Sequence, residues 1–109
     1  MPKVYVPQEP RVRDGSTWKP LYDLSPALRF GTLEVLLPHG PMLLSTEPVI
    51  AGLKEQLKDY TDDDYIMCIG DPAAISAAVL VASQINHGRI RLLKFSRAEK
   101  QYNVISLIA

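Results

Sequence analysis

The chain is poor in the residues that most often announce a chemistry. It has one cysteine and two histidines among 109 residues, which excludes an internal disulfide framework and a cysteine-based zinc site. It has no charge excess, with 12 basic against 12 acidic residues. A polyanion-binding protein usually carries a basic surplus, so here any such surface must come from segregated charge. No apolar run approaches the ~18 residues of a membrane span, and Met1-Pro2-Lys3-Val4-Tyr5 lacks the shape of a signal peptide. These absences predict a protein of the cell interior with no membrane contact. The length suits one domain with a real core, without a second domain to close a large cleft. A hydrophobic fraction of 47% and a charged fraction of 22% are ordinary for a globular chain.

The most informative stretch is Ile66-Met67-Cys68-Ile69-Gly70-Asp71-Pro72 and the apolar run that follows. It reads as a buried strand that breaks at Gly70, caps a helix with Asp71 and enters it through Pro72. That helix is expected from Pro72 to His87, with Gly88 as its stop. Its alanines, valines and isoleucines lie around most of the circumference, so it is either enclosed by the core or left with a spare face for a homodimer or another partner. An amphipathic helix from near Ser45 or Thr46 carries Val49, Ile50, Leu53, Leu57 and Tyr60 on one face.

Strands are expected at Lys3 to Pro7, with the proline marking an end or edge position, and at Leu33 to Leu37 and Tyr65 to Ile69. Arg89 to Phe95 and Tyr102 to Ile108 read as a closing β-hairpin. Between residues 8 and 31 lies an irregular arm. Within it, Arg11 to Trp18 suits a hairpin turning at Asp14-Gly15, and Ser25 to Phe30 a short helix that Gly31 ends. The expected fold is therefore α/β (α+β): one compact domain over residues 1–109, with a β-α-β-α-β-β body over 32–109. Its mixed sheet of about five strands carries two main helices and right-handed crossovers.

Each candidate site has a plain structural reading beside the functional one. Gly70 and Asp71 stand at a helix N-terminus beyond a strand, where anions bind in α/β sheets. Asp71 as an N-cap would instead occupy those donors itself, and no glycine-rich phosphate signature is present. Asp62-Asp63-Asp64 offers hard oxygen ligands, but neighbouring side chains point apart, and an extended Tyr65 to Ile69 holds Asp71 roughly 16 Å away; a solvated turn is expected and no metal. His39 or His87 with Ser45, Ser76 or Ser83 has no nucleophile-elbow context. Cys68 sits in apolar surroundings that suppress a thiolate. No catalytic residue and no cofactor is implied.

Two basic groups remain. Arg11, Arg13 and Lys19 flank Trp18 in the arm, and Arg89 and Arg91 share one strand face, with Arg97 and Lys100 at the adjoining turn. If the arm folds beside the hairpin, the two make a basic surface with an aromatic for stacking, which is how single strands are held. Asp14 and Glu99 are placed to neutralise it.

Several strings taken together, Val6-Pro7-Gln8-Glu9-Pro10, Tyr22-Asp23-Leu24-Ser25-Pro26-Ala27, Leu36-Leu37-Pro38, Asp62-Asp63-Asp64-Tyr65, Ile69-Gly70-Asp71-Pro72 and Asn86-His87-Gly88-Arg89, resemble small uncharacterised accessory proteins of tailed bacteriophages. The resemblance spans nearly the whole chain, carries no catalytic residues, and implies a phage accessory protein acting in the bacterial cytoplasm. The leading expectation is thus a non-enzymatic accessory that binds a host or phage protein through Arg11, Arg13, Trp18, Arg89 and Arg91. The alternatives are nucleic-acid binding by those same residues, or a nucleotide or phosphate held at Gly70 and Asp71.

Overall fold

Two strings of alternating apolar residues decide which side of the sheet each element covers. In the computed structural model, which describes residues 1–42 and 46–109, β1 (Lys3–Gln8) is flanked by two parallel strands. Tyr5 points to one face, with Ile66 and Ile90, and Val4 and Val6 point to the other, with Met67 and Leu93. The chain continues through a two-stranded hairpin, β2 (Arg11–Asp14) and β3 (Thr17–Pro20), and a 3-10 helix at Ser25–Arg29. After β4 (Thr32–Leu37) come α1 (Glu47–Gln56), β5 (Tyr65–Met67), α2 (Pro72–Ile85), β6 (Arg89–Ser96) and β7 (Gln101–Ile108). The main sheet has the order β4-β1-β5-β6-β7, parallel except for the antiparallel β6–β7 pair.

This topology explains the arm. From β4 the chain moves along the sheet to β5 and then β6, with α1 and α2 packed together on the Tyr5 face. From β1 to β4 it moves the opposite way and crosses the opposite face, where Leu24, Ala27 and Phe30 cover Val4, Val6 and Met67. Reversing both direction and face preserves handedness, so all three crossovers obey one rule of chirality. The irregular segment is therefore the layer that closes the second face of the sheet.

Three expectations need correction. Pro7 neither ends β1 nor lies at an edge; it sits inside a central strand. Lys3 N–H reaches Asp64 on the β5 side and Pro2 accepts from Thr32 on the β4 side. By alternation the missing N–H of Pro7 faces β5, beyond the last β5 partner at Tyr5↔Ile66, so no ladder bond is lost. Residue 64 is no part of a solvated turn, since the Asp64 side chain is buried. His87 lies past the helix at φ +55°, with Asn86 as the C-cap and Gly88 at φ +80°. Of the expected start of α1, Thr46 is the N-cap, and Ser45 lies outside the described residues.

The circumference of α2 is also accounted for. Ala74, Ala77, Ala78, Val81 and Ala82 are buried, the last four in one cluster with Leu53 and Leu57 of the α1 segment and the sheet residues Tyr5 and Ile66. Small side chains allow this close approach on two sides, and Leu80 is the large apolar residue left outside. Most of the apolar surface of this helix packs into the domain's own core.

Burial of the tyrosines gives a pH prediction. The Tyr5 hydroxyl is pushed from 10.0 up to about 12, first by burial and then by the charges of Asp64 and Glu34. Burial raises Tyr60 in the same direction. A raised folded value means the folded state holds the proton more tightly, so this stabilisation is complete below pH 10 and is lost as pH rises toward about 12. Melting followed by circular dichroism should show a fall of about 5 °C over that window, and Tyr5→Phe should make the fall shallower. An unchanged slope in the variant would contradict the assignment.

Candidate functional site

The C-terminal ends of β1, β4, β5 and β6 lie along one end of the sheet, and each opens into a different loop. β1 leads to the arm, β4 to Pro38–Met42, β5 to Gly70-Asp71 and β6 to the turn at Arg97–Lys100. Because the chain leaves β1 toward one face and β4 and β5 toward the other, this end is a topological switch point, where α/β sheets form crevices. Two cavities open here, of about 520 and 890 Å3, and they share Pro10 and Gly70.

Gln8 organises the crevice. It is buried, and its Nε2 donates to the carbonyls of Pro38 and Gly40, both at 2.8 Å. Its Oε1 accepts the Asp71 N–H at 2.7 Å. One side chain thus ties the ends of β1, β4 and β5 together. Gly70 holds φ +113°, and a Cβ there would come within 2.8 Å of Gln8 Cβ. A side chain at residue 70 would strain the backbone and displace Gln8 whether or not a ligand binds.

The expected helix start is present. Asp71 Oδ1 accepts the Ala73 N–H at 2.8 Å, and Oδ2 accepts from Met42 N–H at 3.4 Å. The carboxylate of Asp71 therefore occupies the position an anion would take at this helix N-terminus. The geometry supports the structural reading of Gly70 and Asp71.

The smaller cavity is lined by Arg11, Trp18 and His39 beside Gly70 and Asp71. The arm's hairpin forms as expected: Asp14 pairs with Thr17, and Gly15 takes φ +63° in the two-residue turn. Trp18 stays 49% exposed, with its ring 4.7 Å from His39 and the Arg13 guanidinium 5.9 Å from its centre. Most of the arm's charge is matched locally. Arg11 pairs with Glu9 at 2.9 Å and Lys19 with Asp14 at 3.2 Å.

The larger cavity is lined by Tyr22, Phe95 and Tyr102, with Lys94, Arg97 and Lys100 against Asp23. Cys68 opens into it, its thiol pushed up by burial and only partly offset by the Lys94 charge. Such a thiol is a weak nucleophile. The Ser76 hydroxyl donates to the Pro72 carbonyl at 2.8 Å within α2. What this crevice offers a ligand is aromatic surface edged by cations.

Arg89 and Arg91 are elsewhere. They begin β6, whereas the crevice lies beyond its other end, about 20 Å away along an eight-residue strand. Arg89 bonds Asp62 at 2.9 Å, and that contact, with the Asn86 amide, holds the Asp62 carboxyl below its usual range. Arg91 lies 4.1 Å from the Tyr65 ring centre, which Phe30 contacts edge-on. The structure therefore unites Arg11, Arg13 and Trp18 with Gly70 and Asp71, and keeps Arg89 and Arg91 apart from them. Arg97 and Lys100 do border the arm's crevice.

The Asp62-Asp63-Asp64 triplet diverges. Asp62 turns to Arg89, while Asp64 accepts the N–H groups of Lys3 and Thr61. Among the described residues, no three metal-ligating side chains of His, Cys, Asp or Glu converge on one point. No described helix is long and apolar enough to cross a membrane.

Comparison with known proteins is decided by one match. The sequence profile of the family described as Phage Pam3 gp32-like protein covers residues 2–108. The chain belongs to that family. The resemblance to phage proteins read from the sequence strings is thereby shown, over nearly the whole chain. No curated protein and no solved structure matches it. In this chain the candidate site is the crevice around Gln8, Trp18 and Gly70, with the larger cavity adjoining it at Pro10 and Gly70.

Proposed function

We propose that this phage Pam3 gp32-like protein is a non-enzymatic accessory that binds a host or phage protein at the switch-point crevice and the adjoining arm. The observation that carries the proposal is Trp18, half exposed between Arg13 and His39 on an arm where Arg11 and Lys19 are paired with acids. A large aromatic ring with an arginine beside it is the composition of binding hot spots at protein interfaces. The crevice beside it adds Tyr22 and Phe95 at the mouth of an 890 Å3 cavity.

Nucleic-acid binding is the second reading, favoured by Lys94, Arg97 and Lys100 around the aromatic rings of the larger cavity. Against it, Arg11, Lys19 and Arg89 already have carboxylate partners, which lowers the net charge available to phosphates. The two differ in salt dependence, because phosphate contacts release counterions and lose affinity steeply with ionic strength. Affinity capture with the full chain from bacterial lysate, half of it treated with nuclease, separates them. A specific protein recovered equally from both halves is expected. Recovery that disappears with nuclease would replace this proposal with the nucleic-acid reading.

A further inference from the structure

Among the described residues β7 is a free edge of the main sheet, and its sequence lacks the charged residues and prolines that often protect an edge. Residues 101–109 include no charged residue and no proline. The opposite edge strand, β4, holds Glu34 in an ion pair with Lys3. On β7, Ile108 is 80% exposed, and Val104, Leu107 and Ile105 are 44%, 43% and 37% exposed. Four large aliphatic side chains thus stand in water on one uncharged strand.

The direction of the backbone groups follows from three hydrogen bonds. Ala109 N–H donates to Gly88 C=O, which makes that facing pair a bonded one. By alternation, Ile108, Ser106 and Val104 face Arg89, Arg91 and Leu93 in unbonded pairs. The other two bonds agree: Arg91 N–H goes to Tyr60 Oη and Leu93 C=O to Cys68 N–H, both away from β7. The N–H and C=O groups of Val104, Ser106 and Ile108 therefore point out from the free edge.

The strand is also symmetric about Ser106, reading Val104-Ile105-Ser106-Leu107-Ile108. We propose that β7 pairs antiparallel with β7 of a second copy of this chain, about a two-fold axis normal to the sheet at Ser106. Facing residues must share a sheet face, which a perpendicular two-fold allows only between residues of like parity. In this register Val104 faces Ile108 of the second copy, Ile105 faces Leu107, and Ser106 faces its own equivalent. Every exposed aliphatic residue then meets another, and the outward N–H and C=O groups meet as bonded pairs. The two five-stranded sheets become one continuous sheet. Shifting the axis to Val104 or Ile105 would set apolar residues against Asn103 or Gln101, so the pattern selects Ser106. This contact is independent of the crevice, and it closes at two copies because it is isologous.

Sedimentation velocity of the full chain tests this, from about 1 to 200 μM, since a single strand pair falls below the ~800 Å2 per partner of a standard interface and should dissociate on dilution. A species of twice the chain mass is expected at the upper end. Ser106→Lys and Ser106→Asp each place like charges face to face at the axis and should weaken the dimer about ten-fold or more, while an equimolar mixture restores it. Ile108→Lys, at the most exposed of these positions, should weaken it likewise, with circular-dichroism melts confirming that each variant is folded. A wild-type chain that stays at single mass, assemblies larger than two, a dimer indifferent to Ser106→Lys, or a mixture that fails to restore it would each overturn the proposal.

Discussion

Gln8→Ala is expected to destabilise the fold by about 2–4 kcal/mol, a large share of what a domain of this size holds. The side chain is buried and makes three bonds at 2.7 to 2.8 Å, to Pro38, Gly40 and Asp71. Truncation leaves two carbonyls and one N–H without their partner, each worth about 1–3 kcal/mol where water cannot enter. All three contacts are only part-buried, so water recovers some of that, which sets the lower end of the range. Gln8→Glu is the informative companion. A carboxylate still accepts from Asp71 N–H but sets oxygen against the Pro38 and Gly40 carbonyls, so nearly the same loss is expected at neutral pH. Urea unfolding reads both through the midpoint. A change below about 0.5 kcal/mol in Gln8→Ala would mean that the three strand ends are held by something else.

Asp64→Ala should cost about 2–3 kcal/mol, because a buried carboxylate there serves as acceptor for main-chain donors from two segments. Oδ1 takes the Lys3 N–H at 2.9 Å, and Oδ2 takes the Thr61 N–H at 2.9 Å and its hydroxyl at 3.3 Å. The bond to Lys3 fastens the start of β1 to the start of β5, ahead of their first paired residues at Val4 and Tyr65. Asp64→Asn should be intermediate, since one oxygen survives while the new NH2 group faces a donor. Besides the unfolding midpoint, hydrogen exchange at the Lys3 amide should accelerate in both variants. An unaffected Lys3 amide would show that the anchor does not depend on Asp64.

The comparison of sequence with structure turns on which signals are local. The break at Gly70, the Asp71 cap and Pro72 at the helix start lie within three residues, and all three take their expected places. The hairpin at Gly15 and the face of α1 through Leu53 and Leu57 were legible for the same reason. Gln8 was not, because its partners lie 30 to 63 residues away, and at the Asp64 carboxylate only the contacts with Thr61 are local while the anchor to Lys3 spans 61 residues. Nothing local distinguishes a buried glutamine from a solvated one. The one available hint is its position, a polar residue ending an apolar strand of a parallel sheet.

The same limit governed the site. Sequence alternation put Arg89 and Arg91 on one face of their strand and away from the apolar line of Ile90 and Leu92, as observed. It could not say that the arm meets the far end of that strand, because strand order decides this and a sequence does not encode strand order locally. The arm's two ion pairs, Arg11 with Glu9 and Lys19 with Asp14, join residues close in sequence or facing across the hairpin, so the neutralising role expected of Asp14 is visible. The pairing of Arg89 with Asp62 spans 27 residues and was not.

The proposed docking of a partner protein at the crevice and arm, at one end of the sheet, is tested by comparing two double variants. Arg13→Ser with Trp18→Ser alters the exposed arm, while Arg89→Ser with Arg91→Ser alters the opposite strand ends. Each is assayed for its affinity to the protein captured from lysate. The arm pair should lose affinity by about 100-fold, as expected when aromatic and arginine anchors are removed, while the Arg89 and Arg91 pair should bind as the wild type does. Equal binding by the arm pair, or a loss confined to the Arg89 and Arg91 pair, would contradict it.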